Sequence, residues 1–193
     1  MHDIEPHYRW REAYTSERDE RSPFYGRVYS EFTYTNKVYN YFLHPQWDDF
    51  GSQTLYAKQL YADYREGYTV LELIGEWNDL LYNDVKFLKE EVVDPMLEAG
   101  ISRFVVLCEN VLNFHCDDNC YYEEWVEEAR ENGGWVALLN TLPHVDDELR
   151  EAMVDHYVYF GEDFARVPWR PRKPKQIVEL VGALVEGVPV RLE

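Results

Sequence analysis

Three short segments carry the side chains best suited to chemistry or ligand binding. The first segment contains Glu76, Trp77, Asn78 and Asp79. The second contains Glu109, Asn113, His115, Asp117 and Asp118, and the third contains His144. Carboxylates and imidazole can hold a divalent metal ion, and paired carboxylates such as Glu76 and Glu109 can perform acid–base catalysis. If the three segments converge, they form an acidic cluster that includes an imidazole.

The second segment also contains residue types that bind zinc, namely His115, Cys116 and Cys120. No second C-x-x-C or H-x-H pair completes a set of four ligands, so we predict no native metal and no cofactor. A nucleophilic pair of Cys116 and His115 is disfavoured, because adjacent residues seldom direct their side chains at one another. The simpler interpretation is that Asp117 or Asp118 caps a helix and that Cys120 fills a buried space.

Alternating strands and helices must position these segments. The predicted strands comprise residues 54–63, 68–75, 103–109 and 135–140. The predicted helices comprise residues 83–100, 118–132 and 145–160, and Pro95 should split the first of them near Asp94. Continuous apolar strands indicate burial on both faces, which is typical of a parallel α/β core. In such a sheet ligands bind beyond the carboxyl ends of the strands, where the candidate segments lie.

Three stretches within this core are similar to one known family. They read Leu-Ile-Gly-Glu-Trp-Asn-Asp at 73–79, Phe-Val-Val-Leu-Cys-Glu-Asn-Val-Leu-Asn-Phe-His at 104–115, and Gly-Trp-Val-Ala-Leu-Leu-Asn from 134 onward to His144. They resemble the strands of the STAS domain, the fold of bacterial anti-sigma-factor antagonists. The resemblance covers residues 52–160 and implies a mixed, largely parallel sheet flanked by helices. It also implies a regulatory role through protein partners.

The family's regulatory members carry a phosphorylated Ser or Thr at the start of the helix that follows the central strand. The matching stretch at 115–120 reads His-Cys-Asp-Asp-Asn-Cys and contains neither residue. A phosphorylation switch is therefore not part of the expected function. Asp117 or Asp118 would place only a fixed negative charge at this position.

The two ends of the chain differ from the core. Residues 1–51 are rich in aromatic side chains, and we predict an N-terminal β extension, with a strand at 31–43, that packs on the core. Residues 161–193 form a basic, Pro-rich connector followed by a helix that begins at Pro174. With the α/β core at 52–160, the three parts are expected to make one globular unit.

Charge and cysteine content restrict the partners. A net charge of −18 disfavours binding to a nucleic-acid backbone, and the absence of a long apolar run predicts no membrane contact. Three clustered cysteines suit a reducing cytoplasm. Five basic residues lie within 165–178, whereas acidic residues are in excess within 63–132. We expect the connector to dock on this acidic surface, either of its own core or of a symmetric partner, in a monomer or a homodimer.

Two functions are compatible with the sequence. The first is a non-enzymatic regulatory or protein-interaction module of a bacterial cytoplasm, which could bind a protein partner. The alternative is a small-molecule or metal-dependent enzyme that uses the acidic and His residues at the strand ends. The sequence contains no G-x-S-x-G, P-loop or G-x-G-x-x-G motif, which favours the first. A deep pocket lined by Glu76, Asp79, Glu109 and His115 would favour the enzyme.

Overall fold

The computed structural model of the protein describes residues 4–116 and 118–188. Its strands are β1 (Lys37–Val38), β2 (Tyr41–Phe42), β3 (Leu55–Asp63), β4 (Tyr68–Asn78), β5 (Arg103–His115) and β6 (Trp135–Leu139). Its α-helices are α1 (Asp79–Tyr82), α2 (Asp84–Leu88), α3 (Asp94–Glu98), α4 (Cys120–Glu131), α5 (Pro143–Glu151) and α6 (Pro174–Val185). A π-helical turn, Lys89–Val93, joins α2 to α3. Short 3-10 turns occur at Ser16–Arg18, Val154–His156 and Glu162–Phe164.

A four-stranded sheet in the order β3-β4-β5-β6 forms the centre of the fold. Strand β3 is antiparallel to β4, whereas β4, β5 and β6 run parallel to one another. The register aligns Val70 with Val105, and Val105 with Ala137, across the three parallel strands. The predicted α/β fold with a mixed, largely parallel sheet is therefore confirmed.

Each face of the sheet has its own apolar core. Helices α2 to α5 cover the first face, where they pack on Leu71 and Phe104. Helix α6 covers the second face together with Trp10 from the N-terminal region and Trp169 from the connector, and these pack on Val105. Burial on both faces explains why the strands appear in the sequence as continuous apolar runs.

Strand β5 extends well beyond its predicted end at Glu109. The pairs Glu72–Leu107 and Ile74–Asn110 show one extra residue on β5, and a second irregularity follows between Gly75 and Trp77 of β4. Such β-bulges interrupt the alternation of buried and exposed positions. Most of the predicted loop after Glu109 is therefore strand, and the prediction was wrong there because the bulges hide the strand pattern.

At the C-terminal end of β5, side chains of helix α5 bond to the strand edge that no neighbouring strand covers. His144 Nε2 donates to the carbonyl oxygen of Leu112 over 2.7 Å. Glu148 Oε2 accepts from the backbone N–H of Phe114 over 2.8 Å. A neighbouring strand would form hydrogen bonds with these same two backbone groups. One turn of α5 therefore supplies the hydrogen-bond partners that β6 does not reach.

Two predicted helices differ from the structure. The helix at 83–100 is divided into α2, the π-helical turn and α3, and Pro95 lies in the first turn of α3, as expected near that position. The helix at 145–160 ends with α5, because Met153 adopts φ 56° in the left-handed region. After it, Tyr159 pairs with β6 through backbone hydrogen bonds of 2.8 and 3.0 Å.

The N-terminal region packs on the core with little regular structure. The predicted strand at 31–43 is wrong, since only the two-residue strands β1 and β2 form there, with Val38 opposite Tyr41. Large side chains of this region are nonetheless buried, among them Phe24, Leu43, Trp47 and Phe50. Val38, Leu43 and Trp47 form a third apolar cluster with Tyr56 of β3 and Ile74 of β4.

The basic connector lies against the chain's own core. Trp169 is buried, and its ring centroid lies 4.8 Å from that of His7 and 5.9 Å from that of Trp10. Arg170 contacts both carboxylate oxygens of Glu109, over 2.8 and 2.6 Å. The intramolecular form of the expected docking is thus present, and Arg170 supplies an ion pair to it. The proposed division of the chain at 51 and 160 stays a prediction.

Candidate functional site

A cleft of about 250 Å³ opens on the second face of the sheet, at the carboxyl ends of β4 and β5. The β1–β2 hairpin forms one wall and the two strands form the floor. The lining residues are Ile4, Val38, Tyr39, Tyr41, Leu43, Ile74, Gly75, Glu76, Asn110 and Leu112. This composition, mainly aliphatic and aromatic with a few polar groups, is typical of binding sites.

One polar wall of the cleft is held by a hydrogen-bonded carboxylate. The hydroxyl of Tyr39 donates to Glu76 Oε2 over 2.7 Å, and Asn113 Nδ2 donates to Glu76 Oε1 over 3.2 Å. The bond to Glu76 raises the pKa of Tyr39, so the hydroxyl remains a proton donor. Tyr39 adopts φ 51°, an unusual conformation for a bulky residue. Glu76 therefore links the hairpin to β5 at the cleft.

Exposed apolar side chains surround the mouth of the cleft. Tyr41 is 63% exposed and Leu112 is 46% exposed, and Tyr39 is also exposed. Aromatic side chains are enriched at the energetically important positions of protein interfaces. The cleft and its rim thus form one apolar surface at the end of the sheet.

Asp79 lies on the opposite face and belongs to a buried polar network. Its Oδ1 accepts from Trp77 Nε1 over 3.0 Å and from the N–H of Val85 over 2.7 Å, and its Oδ2 accepts from the Tyr122 hydroxyl over 2.5 Å. Burial raises the pKa of Asp79 to about 7, although the hydrogen bonds from its partners favour the charged form. Trp77 is itself fully buried. These groups join β4 to α2 and α4 and have a structural role.

Asn78 has a structural role beside them. Its Oδ1 accepts from the N–H of Leu81 over 3.0 Å and so caps α1. Its own N–H donates over 2.7 Å to Asp84, which is buried and also accepts from the Ser52 hydroxyl over 2.6 Å. The predicted site residues of the first segment, apart from Glu76, therefore organise the turn between β4 and α2.

Glu109 stands apart from both groups, on the second face. Besides its contact with Arg170, it lies near Glu72, and its charge contributes to the raised pKa of that residue. Glu72 is buried, and burial is the main reason that its pKa rises to about 7. Its Oε2 accepts from the backbone N–H of His7 over 2.9 Å. The two carboxylates thus hold the N-terminal segment and the connector against the sheet.

The residues around the end of β5 lie at the surface. His115 is exposed, and Asp118 Oδ1 accepts from the N–H of Cys120 over 3.0 Å just before α4. The N-cap of α4 is Asn119, which makes no side-chain capping bond, so Asp118 does not hold the predicted cap position. Asp117 lies outside the described residues. Cys120 is exposed, so its expected role as a buried filler is wrong; the buried cysteine is Cys108, and burial raises its pKa.

The candidate residues therefore do not share one site. Glu76 lines the cleft and Asn113 bonds to it, whereas Asp79, Glu109, His115 and His144 have separate surroundings. Within 4–116 and 118–188, no three His, Cys, Asp or Glu side chains form a group that could hold a metal ion. Sequence reasoning missed the apolar part of the site. The only signal for it was the aromatic density around β1 and β2.

No family model and no curated protein sequence matches the chain. Two solved structures are similar to part of the chain. One is the crystal structure of a proposed anti-sigma factor antagonist from Thermotoga maritima, with 16% identity and a TM-score of 0.42 over 58% of this chain and 87% of that chain. The other is the NMR structure of the protein TM1081, with 18% identity and a TM-score of 0.38 over 53% of this chain and 83% of that chain.

The STAS-like character of the core stays a prediction from the sequence. None of the helices in the described part of the chain is long and apolar enough to cross a membrane.

Proposed function

We propose that the protein is a non-enzymatic regulatory module that binds a partner polypeptide at the cleft. One apolar side chain of the partner would enter between the hairpin and the sheet, and neighbouring partner residues would pack on Tyr41 and Leu112. The observation that carries this proposal is the apolar cleft with its exposed aromatic rim.

The size of the cleft favours a side chain over a metabolite. Small-molecule sites usually measure about 300–1,000 Å³, and this cleft measures about 250 Å³. Fully burying one large apolar side chain contributes about 2–3 kcal/mol, so the rim must supply the rest of the affinity. Tyr39, Tyr41 and Leu112 offer that additional contact area.

The enzyme alternative receives no comparable support. It requires Glu76, Asp79, Glu109 and His115 to line one pocket, and their hydrogen bonds and ion pairs assign them to different parts of the fold. Cys108, Cys116 and Cys120 are odd in number and clustered, which suits a disulfide framework poorly and supports a reducing, cytoplasmic setting for the proposed module. We also propose that the protein is bacterial; its structure identifies no pathway for the module.

Photo-crosslinking in cells of the source organism tests the proposal. Benzoylphenylalanine replaces Tyr41 at the rim, cells are irradiated, and crosslinked polypeptides are identified by mass spectrometry. A crosslinked polypeptide is expected, and Leu112→Glu should abolish it by placing a charge at the mouth of the cleft. Met153→Glu is the matched control, because Met153 is a 53% exposed apolar residue outside the cleft lining. An absence of crosslinks, or equal yields in all variants, would refute the proposal.

A further inference from the structure

The loop at 27–36 displays two apolar side chains to solvent. Val28 is 94% exposed and Phe32 is 88% exposed, the highest values among the large hydrophobic side chains of the described residues. Single exposed apolar residues are common on protein surfaces, but two at such exposure in one short loop form a protruding pair. A protruding pair of this kind can insert into an apolar cleft.

The loop is held in place by its polar residues. Tyr29 donates its hydroxyl to Asp48 Oδ1 over 2.6 Å, and Asn36 Nδ2 donates to the carbonyl of Trp47 over 2.7 Å. At the tip, the Ser30 hydroxyl accepts from the N–H groups of Phe32 and Thr33, over 3.2 and 2.8 Å. The backbone is therefore anchored on the core while Val28 and Phe32 project from it. Such preorganisation lowers the entropic cost of binding.

The protruding pair and the cleft are neighbours in the chain. Phe32 precedes Val38 of the cleft wall by six positions, so the two Cα atoms lie within about 22 Å of one another. Because one chain carries both an exposed apolar pair and an apolar cleft, two copies can offer each other the pair and the cleft. In a twofold dimer each copy can then insert its loop into the other copy's cleft.

We propose that the occupant of the cleft is Phe32 of a second copy of this chain, with Val28 packed on the rim. This inference rests on the proposed function of the cleft as a site for an apolar side chain. The site then forms a homodimer, in which each copy inserts Phe32 into the cleft of the other. The dimer would hide the most exposed apolar residues of the loop and of the cleft rim together.

Charge sets the conditions under which this dimer forms. Each copy carries a net charge of −18, so two copies repel one another at long range. Near the proposed contact both positive and negative charges occur, since exposed Glu31 is next to Phe32 in the chain and exposed Lys37 is next to Val38 of the cleft wall. Added salt screens the long-range repulsion and leaves apolar insertion intact, so dimerisation should strengthen as salt rises.

Sedimentation equilibrium of the purified full chain, over a range of concentrations and salt, measures the association. The parent protein is expected to dimerise. Phe32→Ser and Leu112→Glu should each weaken the dimer at least about tenfold. Tyr25→Ser, which changes an exposed aromatic outside the loop and the cleft, should leave it unchanged. Since both altered positions are exposed, thermal melting of the variants should match that of the parent at concentrations where the parent is monomeric.

Mixing the two variants gives the sharper result. Phe32→Ser retains the cleft, and Leu112→Glu retains the loop, so only the mixed pair can make one insertion. Fluorescence energy transfer between labelled variants should therefore exceed that of either variant with itself. A parent protein that remains monomeric at all salt concentrations, or a mixture that associates no better than the separate variants, would overturn the inference. A crosslinked polypeptide other than this chain would then leave the proposed function standing.

Discussion

Replacing Asp79 by Asn should change how the stability of the protein depends on pH. Burial raises the pKa of Asp79 to about 7, from 3.8 for a free side chain. The folded protein therefore holds this proton more tightly than the unfolded chain does. The resulting stabilisation is complete below about pH 4 and is lost as the pH rises towards 7.

The size of the effect follows from the difference between the two pKa values. One pKa unit corresponds to about 1.4 kcal/mol, so about three units correspond to about 4 kcal/mol between pH 4 and pH 7. Asn has nearly the same shape and cannot ionise. Its Oδ1 can still accept from Trp77 and Val85, and its amide can donate to the Tyr122 oxygen. Asp79→Asn should thus match the parent near pH 4 and exceed its stability by a few kcal/mol above pH 7.

Urea unfolding at several pH values, followed by circular dichroism, gives the free energies of unfolding. The quantity to plot is the difference between variant and parent, because other buried groups such as Glu72 contribute to both proteins. Glu72→Gln should produce a curve of the same sign, since burial also raises the pKa of Glu72 to about 7. A difference for Asp79→Asn that stays constant with pH, or that favours the parent at high pH, refutes the reasoning.

Two further predictions concern the architecture. Gly75→Ala should destabilise the folded protein by at least about 3 kcal/mol or prevent folding, because an added Cβ would lie 2.0 Å from the carbonyl oxygen of Thr54 and Gly75 has φ 122°. Gly26→Ala is the control for backbone strain alone, since Gly26 has φ 73° but no atom lies within 4 Å of the added Cβ. Equal melting temperatures for the two variants would contradict the prediction. Arg170→Gln should cost about 1 kcal/mol in low salt and less in high salt, because its ion pair with Glu109 is partly exposed. A salt-independent loss would show that packing, not charge, is responsible.

The sequence predicts the centre of the fold well because local pattern and burial agree there. Strands β4 and β6 are apolar on both faces, and helix layers cover both faces, so their composition alone identifies them. Helix α4 is equally clear, since Trp125 and Ala129 share one buried stripe. In these elements the tertiary structure agrees with the strand or helix preference of the local sequence.

The candidate site could not be predicted in the same way. The cleft exists because Val38 and Leu43 approach Ile74 and Leu112, which are distant in the chain, and no local pattern encodes that approach. The prediction of one acidic site from the polar residues failed for a related reason. Asp79 appears in the sequence as a strand-end carboxylate of the type found in active sites, yet its partner Tyr122 comes from a helix that lies much later in the chain.

The narrowing of the sheet has a consequence for its dynamics. Strand β3 begins at Leu55, opposite Gly75, and β6 ends before this level. Past it, β4 and β5 continue as a two-stranded ribbon through the pair Trp77–Phe114, with α5 in place of a strand along the outer edge of β5. A ribbon of two strands is marginal on its own, and regions with fewer strand partners open at lower free energy than the centre of a sheet. Amide hydrogens in the ribbon should exchange with deuterated solvent sooner than those near Val105. The cleft lies where the ribbon begins, so an occupant would slow exchange at this end of the sheet.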